Sequence, residues 1–150
     1  MSSKRLRAAR VMVIVLLVLL AFQFELGMAV NIANPKPIPP FSISSTAVTG
    51  ALNGVGVVAV LHASLGSLLV LVSLVSIILA LRTGALSVQA SSVLAFVGMC
   101  LALTTGLMFT LSGFQNDGLS HGMATMFLLS FSFNFLELYF LKPAPKIQKD

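Results

Sequence analysis

Two histidines, His62 in "VLHASLG" and His121 in "DGLSHGMA", are the side chains of this chain best suited to hold a metal. Each stands near the head of a long apolar run, and each lies roughly 20 residues before a cation, Arg82 for the first and Lys142 for the second. On parallel helices rising about 1.5 Å per residue, both rings then sit at one height, about 30 Å from the ends that the cations mark. Matched imidazoles on two helices are the arrangement that holds the iron of a bis-histidine haem. The plain alternative is that both lie where polar residues collect, at helix ends, and bond to loops or caps.

The helix faces refine this expectation. Positions within about 40° of His62, at about 100° per residue, include Gly66, Ser73, Ser76 and Ala80, and Gly66 leaves room for a flat macrocycle one turn away. The same sector around His121 holds Thr125, Leu128, Ser132, Phe135 and Tyr139. Asp117 precedes His121 by one turn, but two histidines and one loop carboxylate are an incomplete set for copper, zinc or non-haem iron. Met123 and Met126 read as packing residues.

Of the acids, Glu25 in "AFQFELGMAV" reaches about 22 Å from the basic end of its run. With Gln23 and Asn31 nearby, it is expected to bond to another helix, a histidine ring or a bound head group, with a proton relay or quinone contact as the sharper reading. Glu137, just before Lys142, is expected to reach the interface. Cys100 is the single cysteine and no CxxCH occurs, so a haem here would be of the b type, held without covalent attachment. The chain has no Ser/His/Asp arrangement, phosphate loop, HExxH or CxxC, which argues against a hydrolase or kinase. No catalytic activity of its own is expected.

The elements that position these residues follow from composition. The chain has 150 residues, is 57% hydrophobic and 9% charged, and has a mean hydropathy of +1.03. That excludes an ordinary water-soluble domain. Apolar runs at about 11–30, 55–81, 90–112 and 119–141 are long enough to cross a hydrocarbon core of about 30 Å. Continuous runs rather than alternating segments predict an all-α, integral membrane four-helix bundle forming a single domain over 1–150.

Lys4, Arg5, Arg7 and Arg10 before the first run, Arg82 after the second and Lys142, Lys146 and Lys149 after the fourth fall on one side, with Lys36 alone on the other. The positive-inside rule then makes both termini cytoplasmic and the protein a multi-pass protein of the cell membrane. The net charge of +5 is a topology signal and not a nucleic-acid footprint, because the cations are split among short segments. The first run is read as a retained anchor rather than a cleaved signal, since it continues to spanning length through "QFELGMAV".

The outer loop over 31–50 carries Pro35, Pro37, Pro39 and Pro40 and is expected to lie as an extended strip, either as a spacer or as a cover for a site. Gly50 and Gly54 form a GxxxG, a pattern that lets helices approach closely in lipid.

Four spans, histidines at the outer ends of the second and fourth, and a proline-containing loop before the second together resemble one four-helix half of haem A synthase. The resemblance implies His62 and His121 as haem ligands. Ala63 and Ala59 stand where that family carries arginine and glutamate, and its cysteine-bearing outer motif is missing, so synthase chemistry is not implied. The stretches "LGMAVNIANP", "LHASLG" and "NDGLSHGMA" also look like those of small prokaryotic four-helix membrane proteins.

Two functions are therefore expected to compete. One is a protein holding haem b near the outer face through His62 and His121, with Gly66 and Glu25 beside it, serving electron transfer or haem handling in a respiratory-type membrane complex. The other is a cofactor-free accessory or assembly subunit. Its partners would be the lipid bilayer and other membrane subunits or a second copy, with no nucleic acid.

Overall fold

The computed structural model describes residues 3–33 and 56–142, and the regular structure within them is four α-helices. They are α1 (Ser3–Ala33), α2 (Val57–Leu81), α3 (Leu86–Leu111) and α4 (Asp117–Phe140). All four are long and apolar enough to span a membrane. The number of helices is as expected, and three of them begin earlier, α4 by only two residues. α1 starts at Ser3 rather than near 11, because Arg, Lys and Ala are good helix formers and the helix runs on through the basic segment. α3 starts at Leu86 rather than near 90, because the preceding turn is tight. The proline strip and the Gly50–Gly54 pair lie outside the described residues.

The turns have identifiable causes. After α2, Gly84 takes a left-handed φ of 71°, and the Thr83 hydroxyl donates to Ala80 O at 2.7 Å and accepts from Ala85 N at 3.2 Å. At the other end Gly113 (φ 69°) and Phe114 (φ 61°) reverse the chain after α3. Asn116 then caps α4, its side chain accepting from Leu119 N at 3.3 Å, with Asp117 placed favourably in the first turn.

These short connections make α2, α3 and α4 successive antiparallel neighbours. α1 packs on α2 and α4, and α3 packs on the same two, so α2 and α4 stand across a diagonal. One layer of the core joins Ala9 and Val13 of α1, Ala80 of α2, Val88 of α3 and Leu141 just beyond α4, at the end that carries both chain termini. A deeper layer joins Leu16 and Leu20, Leu69 and Met99, with Phe127 and Phe131 against it.

Large apolar side chains such as Phe22, Leu71, Leu101, Leu128 and Phe135 point outward, while Ala59, Gly66, Ala95, Gly98, Ala102 and several serines point inward. That distribution suits a bundle in lipid, where close packing of small residues rather than hydrophobic burial draws helices together. Its tightest example is the α3/α4 pair. A Cβ on Gly98 would lie 3.1 Å from Met126 O and 3.2 Å from Ser130 N, and Ser130 Oγ donates to Ala95 O at 2.8 Å.

Candidate functional site

The two helices that carry the histidines present them differently. On α2 the sector containing His62 faces inward: Gly66, Ser73, Ser76 and Ala80 are all buried. On α4 the sector containing His121 faces outward: His121, Thr125, Leu128, Ser132, Phe135 and Tyr139 are all exposed. The hydroxyls in that outward sector are turned back to their own helix, Thr125 to His121 O at 2.9 Å and Ser132 to Leu128 O at 2.8 Å. The two imidazoles therefore belong to opposite kinds of surface. The inward stripe of α4 is Ser130, Asn134 and Glu137.

His62 is held from α1. The Gln23 amide Nε2 donates to His62 O at 3.0 Å and stands 3.4 Å from His62 Nε2, a long contact in which the ring nitrogen accepts. Two glycines make this approach possible. A Cβ on Gly66 would lie 3.0 Å from Gln23 Nε2, and a Cβ on Gly27 would lie 3.0 Å from His62 Cε1. Each helix thus contributes a polar side chain and, four residues later, a glycine: Gln23 and Gly27 on α1, His62 and Gly66 on α2. Because the helices run antiparallel, each side chain lies over the other helix's glycine. The room beside Gly66 that a macrocycle would need is filled by the Gln23 amide.

Two polar atoms of this interlock, Gln23 Oε1 and His62 Nδ1, are buried without a hydrogen-bond partner. The ring nitrogen left open is thus Nδ1, which lies nearer its own backbone than Nε2 does. Glu25, expected to bond to another helix, a histidine ring or a bound head group, is exposed, and Gln23, two residues before it, takes the inward position. Asp117 is also exposed, and Phe24 stacks on Phe127 of α4 with ring centroids 6.2 Å apart. Met123 packs against Gly106, in keeping with its expected packing role.

The acid expected to reach the interface does not. Glu137 is 0% exposed and lies on the inward stripe of α4, with both carboxylate oxygens unpartnered. Counting residues back from Lys142 gave its depth but not its direction, and it is the helical phase, with Ser130 and Asn134 on the same stripe, that turns it inward.

Two further features stand out only in the structure: Gln23 as a site residue, and the run Gly98, Ala102 and Gly106, a small residue every four positions along α3. Their trace in the sequence is spacing, the first as paired Gln-xxx-Gly and His-xxx-Gly, the second as the same small-residue pattern found at Gly50. Among the described residues no group of three or more His, Cys, Asp or Glu side chains is placed to hold a metal ion. No family model, no curated protein and no solved structure matches the chain.

Proposed function

We propose that this chain is a haem-free, four-span accessory subunit of the cell membrane, with both termini cytoplasmic, that packs against larger membrane subunits or a second copy of itself. The observation that carries this reading is the Gln23 amide seated on Gly66 and against His62 Nε2, which uses the histidine to lock α1 to α2. The outward position of His121 supports it, since a side chain there meets lipid, a loop or a partner rather than the bundle interior. Orientation rests on the basic residues at the terminal end. The outward apolar surface suits lipid and neighbouring helices equally.

The second reading keeps one b-type haem near the outer face, ligated by His62 and His121 in an electron-transferring subunit. The unpartnered, buried His62 Nδ1 favours it. It requires Gln23 to withdraw and His121 to turn inward.

One preparation separates the two. Protein expressed with ample haem and extracted in mild detergent is expected to give a featureless visible spectrum, oxidised or dithionite-reduced, and to migrate in an assembly larger than one bundle. A Soret band with a sharp reduced α-band, lost in His62→Ala, would replace the first reading with the second. A haem-free, monodisperse single bundle would overturn both.

A further inference from the structure

Several hydroxyl groups of this bundle are satisfied by backbone carbonyls. Ser67, Ser73, Thr104, Thr110 and Ser132 each donate to a carbonyl three or four residues back in the same helix, and Ser130 donates across to α3. Ser76 of α2 and Ser92 of α3 do neither. Both are 2% exposed, both Oγ atoms lack a partner, and both face the Glu137 carboxyl of α4.

Glu137 is more deeply buried still, with Oε1 and Oε2 also unpartnered. Four oxygens from three helices therefore meet one turn inside the Ala80, Val88 and Leu141 layer, which covers them on the terminal side. Next to them, Asn134 is engaged elsewhere, its amide donating to Ser130 O at 2.9 Å.

Burying one such oxygen without a partner is costly, and burying four at one point marks a place that something else completes. All four atoms can accept, and the carboxyl is the one group among them able to carry a negative charge, so the complement that would hold it ionised is a cation. Hydroxyls donating straight to the carboxylate would stand about 2.7 Å from it. Oxygens of different side chains around a hard cation, each about 2.4 Å from the ion, stand farther from one another than that, and Ser76, Ser92 and Glu137, although within reach of one another, close no hydrogen bond of good geometry.

Among the described residues no cationic side chain pairs with Glu137. A single carboxylate balances one positive charge, whereas a divalent ion would leave a net charge in a low-dielectric interior. An all-oxygen donor set disfavours transition metals.

We propose that the Glu137 carboxylate and the Ser76 and Ser92 hydroxyls form a binding site for a small monovalent hard cation of the sodium type. The site stands at the opposite end of the bundle from His62 and does not depend on how the histidines are used.

The test is thermal unfolding of the full chain in detergent, in choline chloride and in sodium chloride at equal ionic strength. Sodium is expected to raise the midpoint saturably, by about 5 °C at concentrations far above the dissociation constant. Glu137→Gln is expected to abolish that rise, and the double variant Ser76→Ala, Ser92→Ala to move it to at least about tenfold higher sodium, the loss of roughly 1.4 kcal/mol of binding. The double variant removes two atoms and carries the comparison if Glu137→Gln fails to fold. Equal wild-type midpoints in the two salts, as when a proton alone occupies the carboxyl, would overturn the proposal. So would a sodium-dependent rise that persists undiminished in the variants.

Discussion

The bundle contains two polar inclusions, and it treats them in opposite ways. Near the end farther from the termini, His62 meets Gln23 across α1 and α2, two glycines make the space, and the stronger contact is a 3.0 Å hydrogen bond to a backbone carbonyl. Near the terminal end, Glu137, Ser76 and Ser92 converge from α4, α2 and α3 without a hydrogen bond of good geometry among them. The first inclusion makes one firm hydrogen bond and one long contact and leaves Gln23 Oε1 and His62 Nδ1 open, whereas in the second none of the four side-chain oxygens closes a bond of good geometry. Polar groups inside one bundle can thus serve as a fastening or as a receptor, and hydrogen-bond satisfaction rather than residue type separates the two.

The largest effects should come from removing each inclusion in turn, in sodium-free detergent. His62→Ala deletes a ring packed over Gly27 and is expected to cost about 2 kcal/mol of unfolding free energy. Glu137→Leu replaces an unsatisfied buried acid by an apolar side chain of similar size and is expected to gain about 2 kcal/mol. Equal signs for the two changes would erase the distinction between them. Adding sodium should narrow the gain at Glu137→Leu and leave the loss at His62→Ala unchanged.

A smaller effect tests the fastening itself. Gly66→Ala places a methyl 3.0 Å from Gln23 Nε2, so the amide must shift and its bond to His62 O weakens, at a cost of about 1 kcal/mol. In a Gln23→Ala background there is no amide to displace, so the same substitution should lose its cost and show the gain of about 0.5 to 1 kcal/mol of alanine over glycine in a helix. The smallest effect is expected at Glu25→Gln, where the exposed side chain should move the unfolding free energy by less than about 0.5 kcal/mol. A larger loss there would return Glu25 to the site.

The sequence made the helices plain, because uninterrupted apolar runs of spanning length have few other solutions. It also gave the inward sector of α2 around His62, since small residues at helical spacing mark a packed face. Which way His121 points was not legible, because the hydrophobic contrast between faces that orients a helix in water is lost when the outward face is apolar too. Glu137 was misplaced for the same reason: an acid near a helix end is read as seeking water unless phase is weighed against depth. Gln23 carries no charge to mark it in the sequence, yet it is this neutral amide and not the Glu25 carboxylate that makes the contact. The glycine that receives His62 sits on another helix, and only the packing of α1 against α2 relates the two.

The reciprocal fit of side chain and glycine can be tested through Gly27. A methyl at Gly27 meets His62 Cε1 at 3.0 Å, so Gly27→Ala is expected to destabilise the wild-type chain in thermal or denaturant unfolding. In the His62→Ala background the ring is gone and the helix gains the better former, so the same change should stabilise by about 0.5 to 1 kcal/mol. A reversal of sign between the two backgrounds is the result predicted if His62 is a fastening between α1 and α2. The same effect of Gly27→Ala in both would mean that the ring does not rest on that glycine, and would contradict the account.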